Sequence, residues 1–224
     1  MRTIENLNID KNTIMIFTSD NGHEIYYAQE GRVHKPYTNM STGVRFDNLD
    51  RKYYSHIAGD VFNGNDGRAG LKRTNLQGGI EVPLIIRWPE QIRPGRTSDH
   101  LVANYDFLAT IAEITGLSKP MRTDGISFFK ELIEQAGQTE HEYVVYGSFL
   151  GPTLITNDGW KIRSHLESGD FELFYLPDDF KEANDLSRKH PEKFDALKRK
   201  LVVACSGDLE NGHYLPRKNQ INIE

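Results

Sequence analysis

The stretch Thr13-Ile14-Met15-Ile16-Phe17-Thr18-Ser19-Asp20-Asn21-Gly22 decides the fold. An apolar run ends abruptly at a carboxylate, an amide and a glycine. A short unbroken apolar run bounded by turn residues reads as a buried strand of a parallel sheet, and a strand is predicted over residues 13–19. Parallel α/β sheets place their ligands at the carboxyl ends of the strands, so Asp20 and Asn21 stand where chemistry is usually done. Both offer hard oxygen donors of the kind that Ca²⁺ or Mg²⁺ prefers, and Gly22 lets the backbone turn beside them. Read alone, the same three residues also suit an ordinary Asp-Asn-Gly turn.

Working outward, 224 residues suffice for one large domain or a medium domain with a small one. A hydrophobic content of 38%, a charged content of 26% and a net charge of −5 describe a slightly acidic protein without the basic footprint of a nucleic-acid binder. The apolar runs are too short to span a bilayer. Met1-Arg2-Thr3-Ile4-Glu5-Asn6 lacks the apolar core of a signal peptide, which fits either a cytoplasmic protein or a chain without its original N-terminus. The single cysteine, Cys205, excludes an intrachain disulfide framework and a cysteine-rich metal site.

Residues 1–12 read as a polar entry segment. Residues 20–70 are long, polar and rich in Gly, Asn, Asp and Tyr. Such a stretch inside a domain is functional or disordered, and its aromatics (Tyr26, Tyr27, Tyr37, Phe46, Tyr53, Tyr54, Phe62) argue against plain disorder. It reads as a loop with local structure lying over the strand end. Val82 to Pro89 reads as a second short strand. An amphipathic helix is expected between Asp99 and Gly116, with Leu101, Val102, Phe107, Leu108, Ile111, Ala112 and Ile114 as its apolar positions. Asp106 would cap or charge its first turn, and Gly116 would stop it. Phe128, Phe129, Leu132 and Ile133 suggest another short helix.

After residue 138 the texture changes. Tyr143–Tyr146, Thr153–Thr156, Trp160–Ser164 and Phe171–Tyr175 are short β-like runs separated by turn signals, the pattern of antiparallel hairpins. An amphipathic helix follows from Pro191 to Ala204, with Phe194, Leu197, Leu201 and Val202 on one face. The expected division is an α/β portion over 1–138 and a small β-plus-helix portion over 139–224.

These pieces fall in a familiar order. Thr18-Ser19-Asp20-Asn21-Gly22, then Lys72, then Gly78-Gly79-Ile80-Glu81-Val82-Pro83 and Arg87-Trp88-Pro89 resemble the type I sulfatase family. So do Gly95-Arg96-Thr97-Ser98-Asp99, the Asp106 to Gly116 helix and Asp124-Gly125-Ile126-Ser127. Asn157-Asp158-Gly159-Trp160-Lys161, Glu172-Leu173-Phe174-Tyr175 and the stretch from Asn184-Asp185-Leu186 to His190-Pro191 are similar to the family's C-terminal subdomain. The likeness covers roughly residues 13–204.

The resemblance implies an α/β fold: part of an alkaline-phosphatase-like, mostly parallel sheet with flanking helices, followed by a small antiparallel sheet with one helix. Residues 1–138 would be the C-terminal half of the catalytic domain, with 20–70 as an active-site loop. It implies hydrolysis of sulfate esters, of a sulfated carbohydrate by family habit, through a formylglycine made in a Cys-x-Pro/Ala-x-Arg motif. The cysteine motif does not occur here, since Cys205 lies in Ala204-Cys205-Ser206-Gly207-Asp208, and the one serine form, Ser118-Lys119-Pro120-Met121-Arg122, lies far downstream of the N-terminal position that the family gives it. The aspartate pair that opens the family's sheet is also missing. The expectation is therefore a C-terminal fragment, a truncated form or one part of a split protein, inactive alone, whose partner is the N-terminal half of the same enzyme.

By the same resemblance, Asp20 and Asn21 match the metal-binding pair (Ca²⁺, or Mg²⁺), and Lys72 matches the lysine that contacts sulfate oxygens. The pair and the lysine would converge on one tetrahedral anion. Gln77 departs from the acidic residue often found before the glycine pair, and Gly78 and Gly79 read as backbone devices. His23 and Arg68 are further substrate-binding candidates; His34, Arg45 and His56 are weaker ones that would shape a sugar pocket. Cys205 reads as an inert, partly packed thiol and Lys198-Arg199-Lys200 as a solvated helix face. The expected ligand is a sulfated small molecule or glycan, with no nucleic acid and no membrane span. Periplasmic or secreted localisation follows only from family habit, and an exposed sheet edge makes a homo-oligomer a further expectation. A phosphatase, phosphodiesterase or phosphotransferase of the same superfold, and a non-catalytic binding module on this scaffold, remain as alternatives.

Overall fold

The computed structural model describes residues 1–24, 64–117 and 123–211, together with the backbone of three short strands within 27–39. The side chains of His34, Arg45 and His56, and of the loop aromatics, lie outside the described residues. Along the chain the elements are α1 (Arg2–Asn6), a 3₁₀ turn (Asp10–Asn12), β1 (Met15–Phe17), β2 (Tyr27–Ala28), β3 (Gly31–His34), β4 (Thr38–Asn39), α2 (Gln77–Ile80), β5 (Ile85–Arg87), α3 (Asp106–Ile114), α4 (Phe129–Leu132), β6 (Tyr143–Tyr146), β7 (Thr153–Thr156), β8 (Trp160–Ser164), β9 (Phe171–Tyr175) and α5 (Pro191–Ala204). The chain divides into two compact units, Met1–Asp20 with Val82–Val144, and Asn21–Glu81 with Val145–Glu224.

In the first unit β1 pairs with β5, Met15 opposite Arg87 and Phe17 opposite Ile85. This corrects the reading of residues 13–19. The extended part is three residues long, its pairing is antiparallel, and Ile16 and Phe17 are exposed rather than buried. The apolar run states that these side chains are to be covered, but not by what. Among the described residues the ribbon is two strands wide and no layer closes over Phe17 or Ile85.

Helix α3 starts at Asp106, later than the apolar pattern suggests, so Leu101 and Val102 lie outside it. The cause is the Asp106 carboxylate. It caps no helical N–H; instead it accepts from the backbone N–H of Ala103 (2.7 Å) and of Ile126 (2.9 Å) and meets Nε2 of His141 at 2.8 Å. Buried to 1% exposure, it ties three separate segments of the unit together. Leu108 and Ile111 face out, while Ala112 and Thr110 are buried. Phe128 meets Phe107 edge-on at 5.7 Å, and Trp88 stacks on Phe129 at 6.2 Å. Gly116, at φ +67°, ends the helix region as expected.

The second unit holds the antiparallel trio β2-β3-β4 and, from Val145 on, the sheet in the order β6-β7-β8-β9. Strands β6 to β9 and helix α5 have the bounds that the sequence pattern marks. Register places Leu154, Ile162 and Leu173 side by side, and all three are fully buried. Gly159 takes φ +85° in the Asn-Asp-Gly turn, the left-handed conformation that glycine supplies in a tight hairpin. Pro191 opens α5, where its missing N–H is no loss. The helix packs on β7 and β8 and buries Leu197 and Leu201. Cys205, at its end, is fully buried rather than partly packed, and burial pushes its thiol pKa up.

Candidate active site

The candidate residues Asn21, His23, Arg68 and Lys72 all lie in the second unit, and Asp20 is the last residue of the first. Within the second unit the chain after Asn21 runs beside the 64–81 loop. The Gly22 N–H donates to the Gly79 carbonyl at 2.9 Å, and the Lys72 N–H donates to the His23 carbonyl at 2.8 Å. Glycines make this approach feasible. A Cβ on Gly22 would stand 2.0 Å from the Gly78 oxygen, and one on Gly78 would stand 2.3 Å from the Gly70 oxygen. Gly78 and Gly79 thus serve as backbone devices, with main chain packed directly on main chain. The His23 ring occupies the space over Gly64, where a Cβ would lie 2.4 Å from Nδ1.

The loop is built from its own polar side chains. Asn65 donates through Nδ2 to the carbonyls of Arg68 and Gly70, both at 2.8 Å, and Thr74 Oγ1 donates to the Leu71 carbonyl at 2.8 Å. Asn75, wholly buried, donates to the carbonyls of Gly151 (3.1 Å) and Ser164 (2.8 Å), anchoring the loop to the β6–β9 sheet.

Gln77 is the loop's second anchor. Its N–H donates to Glu182 Oε2 at 2.6 Å, its Oε1 accepts from Lys161 Nζ at 3.1 Å, and its Nε2 donates to Glu81 Oε2 at 3.0 Å. Lys161 and Glu182 form a fully enclosed ion pair at 2.6 Å. Burial pulls the Lys161 pKa down, and the Glu182 charge opposes that shift. Glu182 is aimed inward by a turn in which Asp179 accepts from the N–H groups of Ala183 (3.0 Å) and Asn184 (2.8 Å). The Gln77 amide therefore has a definite task, holding the glycine pair to the sheet.

Of the cations, Arg68 is engaged on the protein. Its NH2 lies 2.6 Å from Glu81 Oε1 and its NH1 3.5 Å from Asp66, and the hydrogen bond to Glu81 raises the guanidinium pKa further above its ordinary value. Lys72 Nζ lies 3.6 Å from Glu24 Oε2 and retains about a third of its exposure. Glu24 and Arg73, which no spacing in the sequence singles out, join Lys72 in one group: Arg73 NH2 lies 3.8 Å from Glu24 Oε1. The only sequence signal for Arg73 is adjacency to Lys72, and for Glu24 adjacency to His23.

Asp20 and Asn21 offer donors of the right chemical kind for Ca²⁺ or Mg²⁺, an acid and an amide oxygen. Asn21 Nδ2 donates to the Gly22 carbonyl at 3.0 Å, which orients the amide. Among the described residues no group of three or more His, Cys, Asp or Glu gathers as a metal site. A Ca²⁺ ion takes six to eight oxygens, so these two residues fit such a site in kind and would fill part of it. Among the described residues no helix is long and apolar enough to cross a membrane.

Comparison with known proteins follows the same lines. The family model described as Sulfatase matches residues 1–117, and that described as N-sulphoglucosamine sulphohydrolase, C-terminal, matches residues 71–204. An N-acetylgalactosamine-6-O-sulfatase of Bacteroides thetaiotaomicron is 24% identical over 209 residues, covering 86% of this chain and 36% of the relative. An ulvan-active sulfatase of Formosa agariphila is 38% identical over 98 residues, covering 44% of this chain and 19% of the relative. A solved structure in complex with its substrate D-glucosamine-2-N,6-O-disulfate superposes with a TM-score of 0.63 at 20% identity, covering 92% of this chain and 36% of the other. The chain thus spans little more than a third of the first relative's length. Its fold is the α/β fold of the alkaline-phosphatase-like sulfatases, with the small antiparallel sheet at its C-terminal end. The chain belongs to the sulfatase family.

Proposed function

We propose that this chain is the C-terminal part of an enzyme that hydrolyses sulfate esters of a carbohydrate. The observation that carries the reading is the pairing of residues 22–23 with Gly79 and Lys72, which sets the segment directly after Asp20-Asn21 against the loop that bears the lysine. A sulfate ester is an anion, and more charge develops on the leaving oxygen as the S–O bond breaks. Lys72, held by its backbone and reached by solvent, would hold the sulfate oxygens. Removing one such preorganised charge lowers the rate by about 10²–10³. Asp20 and Asn21 would hold the metal, Ca²⁺ or Mg²⁺, with the remaining ligands coming from elsewhere. When bound, the ion supplies Lewis-acid polarisation of the sulfate. The nucleophile, a formylglycine, is expected from an N-terminal part of the enzyme; Cys205, fully buried, does not substitute for it. His23 and Arg68 border the same loop as secondary candidates for substrate contact.

A sulfated sugar as substrate is supported by what two of the similar proteins act on: one is an N-acetylgalactosamine-6-O-sulfatase, and another is solved with a disulfated glucosamine. Export to the periplasm or the exterior fits such a substrate. The exposed apolar ribbon of β1 and β5 supports a covering polypeptide, the N-terminal half of the enzyme, with a second copy of this chain as the other occupant.

Kinetics with a chromogenic aryl sulfate test the reading. The pure 224-residue chain is expected to give no turnover above background. Addition of a polypeptide carrying the nucleophile motif is expected to restore turnover that the Lys72→Ala variant loses. Turnover by the pure chain, or restored turnover indifferent to Lys72→Ala, would refute it.

A further inference from the structure

Three connections meet at one end of the β6–β9 sheet. Strands β7 and β8 are antiparallel with Thr153 opposite Arg163, so the turn that enters β7 and the turn that leaves β8 lie at the same end. The Leu166 N–H donates to the Leu150 carbonyl at 2.8 Å and ties these two turns together. The third connection is the loop that bears Lys72. Its Asn75 donates through Nδ2 to the carbonyls of Gly151 and Ser164 at this same end. Lys72 itself lies in the turn that the Thr74 N–H closes on the Leu71 carbonyl at 3.0 Å, directly before Asn75.

The turn entering β7 holds its tip still. The Gly151 N–H donates to the Ser148 carbonyl (3.1 Å), Ser148 Oγ donates to the Gly151 carbonyl (3.0 Å), and the Leu150 N–H donates to Ser148 Oγ (3.1 Å). Gly151 takes φ +128°, and a Cβ there would stand 2.6 Å from Ser164 Oγ, so glycine is what lets the turn close on β8. Leu150 is buried beneath the turn, and Phe149 is turned outward with 75% of its surface exposed. The turn thus fixes a phenyl ring in water, against the hydrophobic effect. The turn leaving β8 carries the half-buried His165. The Ser168 N–H donates to its Nδ1 at 3.4 Å. With Nδ1 accepting, the neutral imidazole is a donor at Nε2.

We propose that this end of the sheet is a second sugar subsite, in which Phe149 stacks on the C–H face of the unit joined to the sulfated sugar and His165 donates from Nε2 to one of its hydroxyl oxygens. The subsite presupposes the reading of Lys72 as the sulfate contact, and it makes the substrate an oligosaccharide rather than a lone sulfated sugar. A pyranose ring is polar around its rim and apolar on its C–H face. An aromatic ring covers that face without taking the rim hydroxyls from water, and a ring held in place beforehand loses little freedom on binding. Phe149 has no polar atom, so a bare sulfate or a metal ion gains nothing from it. An apolar platform with a few placed polar groups is the usual composition of a ligand site.

The test is an NMR titration of the full chain with N-acetylgalactosamine 6-sulfate, a disaccharide containing that sulfated unit, and the same disaccharide without sulfate. The sulfated disaccharide is expected to bind about tenfold more tightly than the sulfated monosaccharide, with ring-current shifts on the C–H protons of its second unit. Phe149→Ala is expected to bring the disaccharide down to the affinity of the monosaccharide and to abolish those shifts, whereas Phe149→Tyr retains both. His165→Ala is expected to weaken the disaccharide by about threefold. Lys72→Ala is expected to weaken both sulfated ligands. A disaccharide advantage that survives Phe149→Ala, or a Phe149→Ala variant that loses only association with an added N-terminal polypeptide, would overturn the subsite and leave the Lys72 reading intact. Sulfated and unsulfated disaccharides that bind alike, with Lys72→Ala changing neither, would overturn both.

Discussion

Gly22 concentrates the argument at the scale of single residues. Sequence places it after an acid–amide pair as a turn former, but its described role is close approach, with the Gly78 oxygen standing where a Cβ would go. Backbone cannot swing aside as a side chain can, so Gly22→Ala is expected to destabilise the chain by about 3 kcal/mol, or to prevent folding. Urea denaturation measures this, and a loss below about 1 kcal/mol would contradict the packing described. Gln77 teaches a related lesson. As a departure from the family's acid it reads as neutral variation, yet it makes three hydrogen bonds to Glu182, Lys161 and Glu81. An amide can both donate and accept, which the ionised acid cannot, and this is what lets one side chain join a buried ammonium to a carboxylate.

Elements are positioned by such buried polar contacts more than by helix or strand propensity. The four-residue α2 is too short to be stable by itself. It is held by Asn75 on the Gly151 and Ser164 carbonyls and by Gln77 on the enclosed Lys161–Glu182 pair. Removing one partner of an enclosed ion pair strands the other charge. Glu182→Ala is therefore expected to cost about 3–5 kcal/mol of stability. The double variant Lys161→Met/Glu182→Gln, which removes both charges but retains an acceptor for the Gln77 N–H, is expected to recover all but about 1 kcal/mol. Calorimetric unfolding of the two proteins checks this; equal losses would mean that the pair is not the anchor of the loop. In α3, by the same logic, Asp106 determines where the helix begins through Ala103 and Ile126, against an apolar pattern that starts at Leu101.

For the whole molecule the main physical feature is uncovered apolar surface in the first unit. Phe17 and Ile85 are each 62% exposed and pair with each other across the two-stranded ribbon. Leu108 and Ile111 on α3 are exposed as well. Unpaired strand edges bearing apolar side chains are association sites. The isolated chain is expected to self-associate at about 100 μM, and Phe17→Glu with Ile85→Lys to reduce that association. Sedimentation velocity gives the answer, and a monodisperse monomer without the substitutions would contradict it. The proposed N-terminal half is expected to compete with this association, which links the measurement to the restoration of activity.

Sequence alone determined the elements whose information is local. The bounds of β6 to β9 and of α5 follow from alternation, turn residues and a 3.6-residue apolar repeat, all readable within a few positions of each residue. It also yielded the ordered motifs by which the family is legible, including Asp20-Asn21, Lys72 and the glycine pair. Tertiary structure decided what depends on partners far along the chain. The antiparallel pairing of Met15–Phe17 with a strand 70 residues away, the burial of Lys161 against Glu182, and the meeting of Glu24 with Lys72 and Arg73 each join segments that no periodicity connects. Local patterns encode which side chains prefer burial or a turn; only closure of the chain fixes which charge faces which.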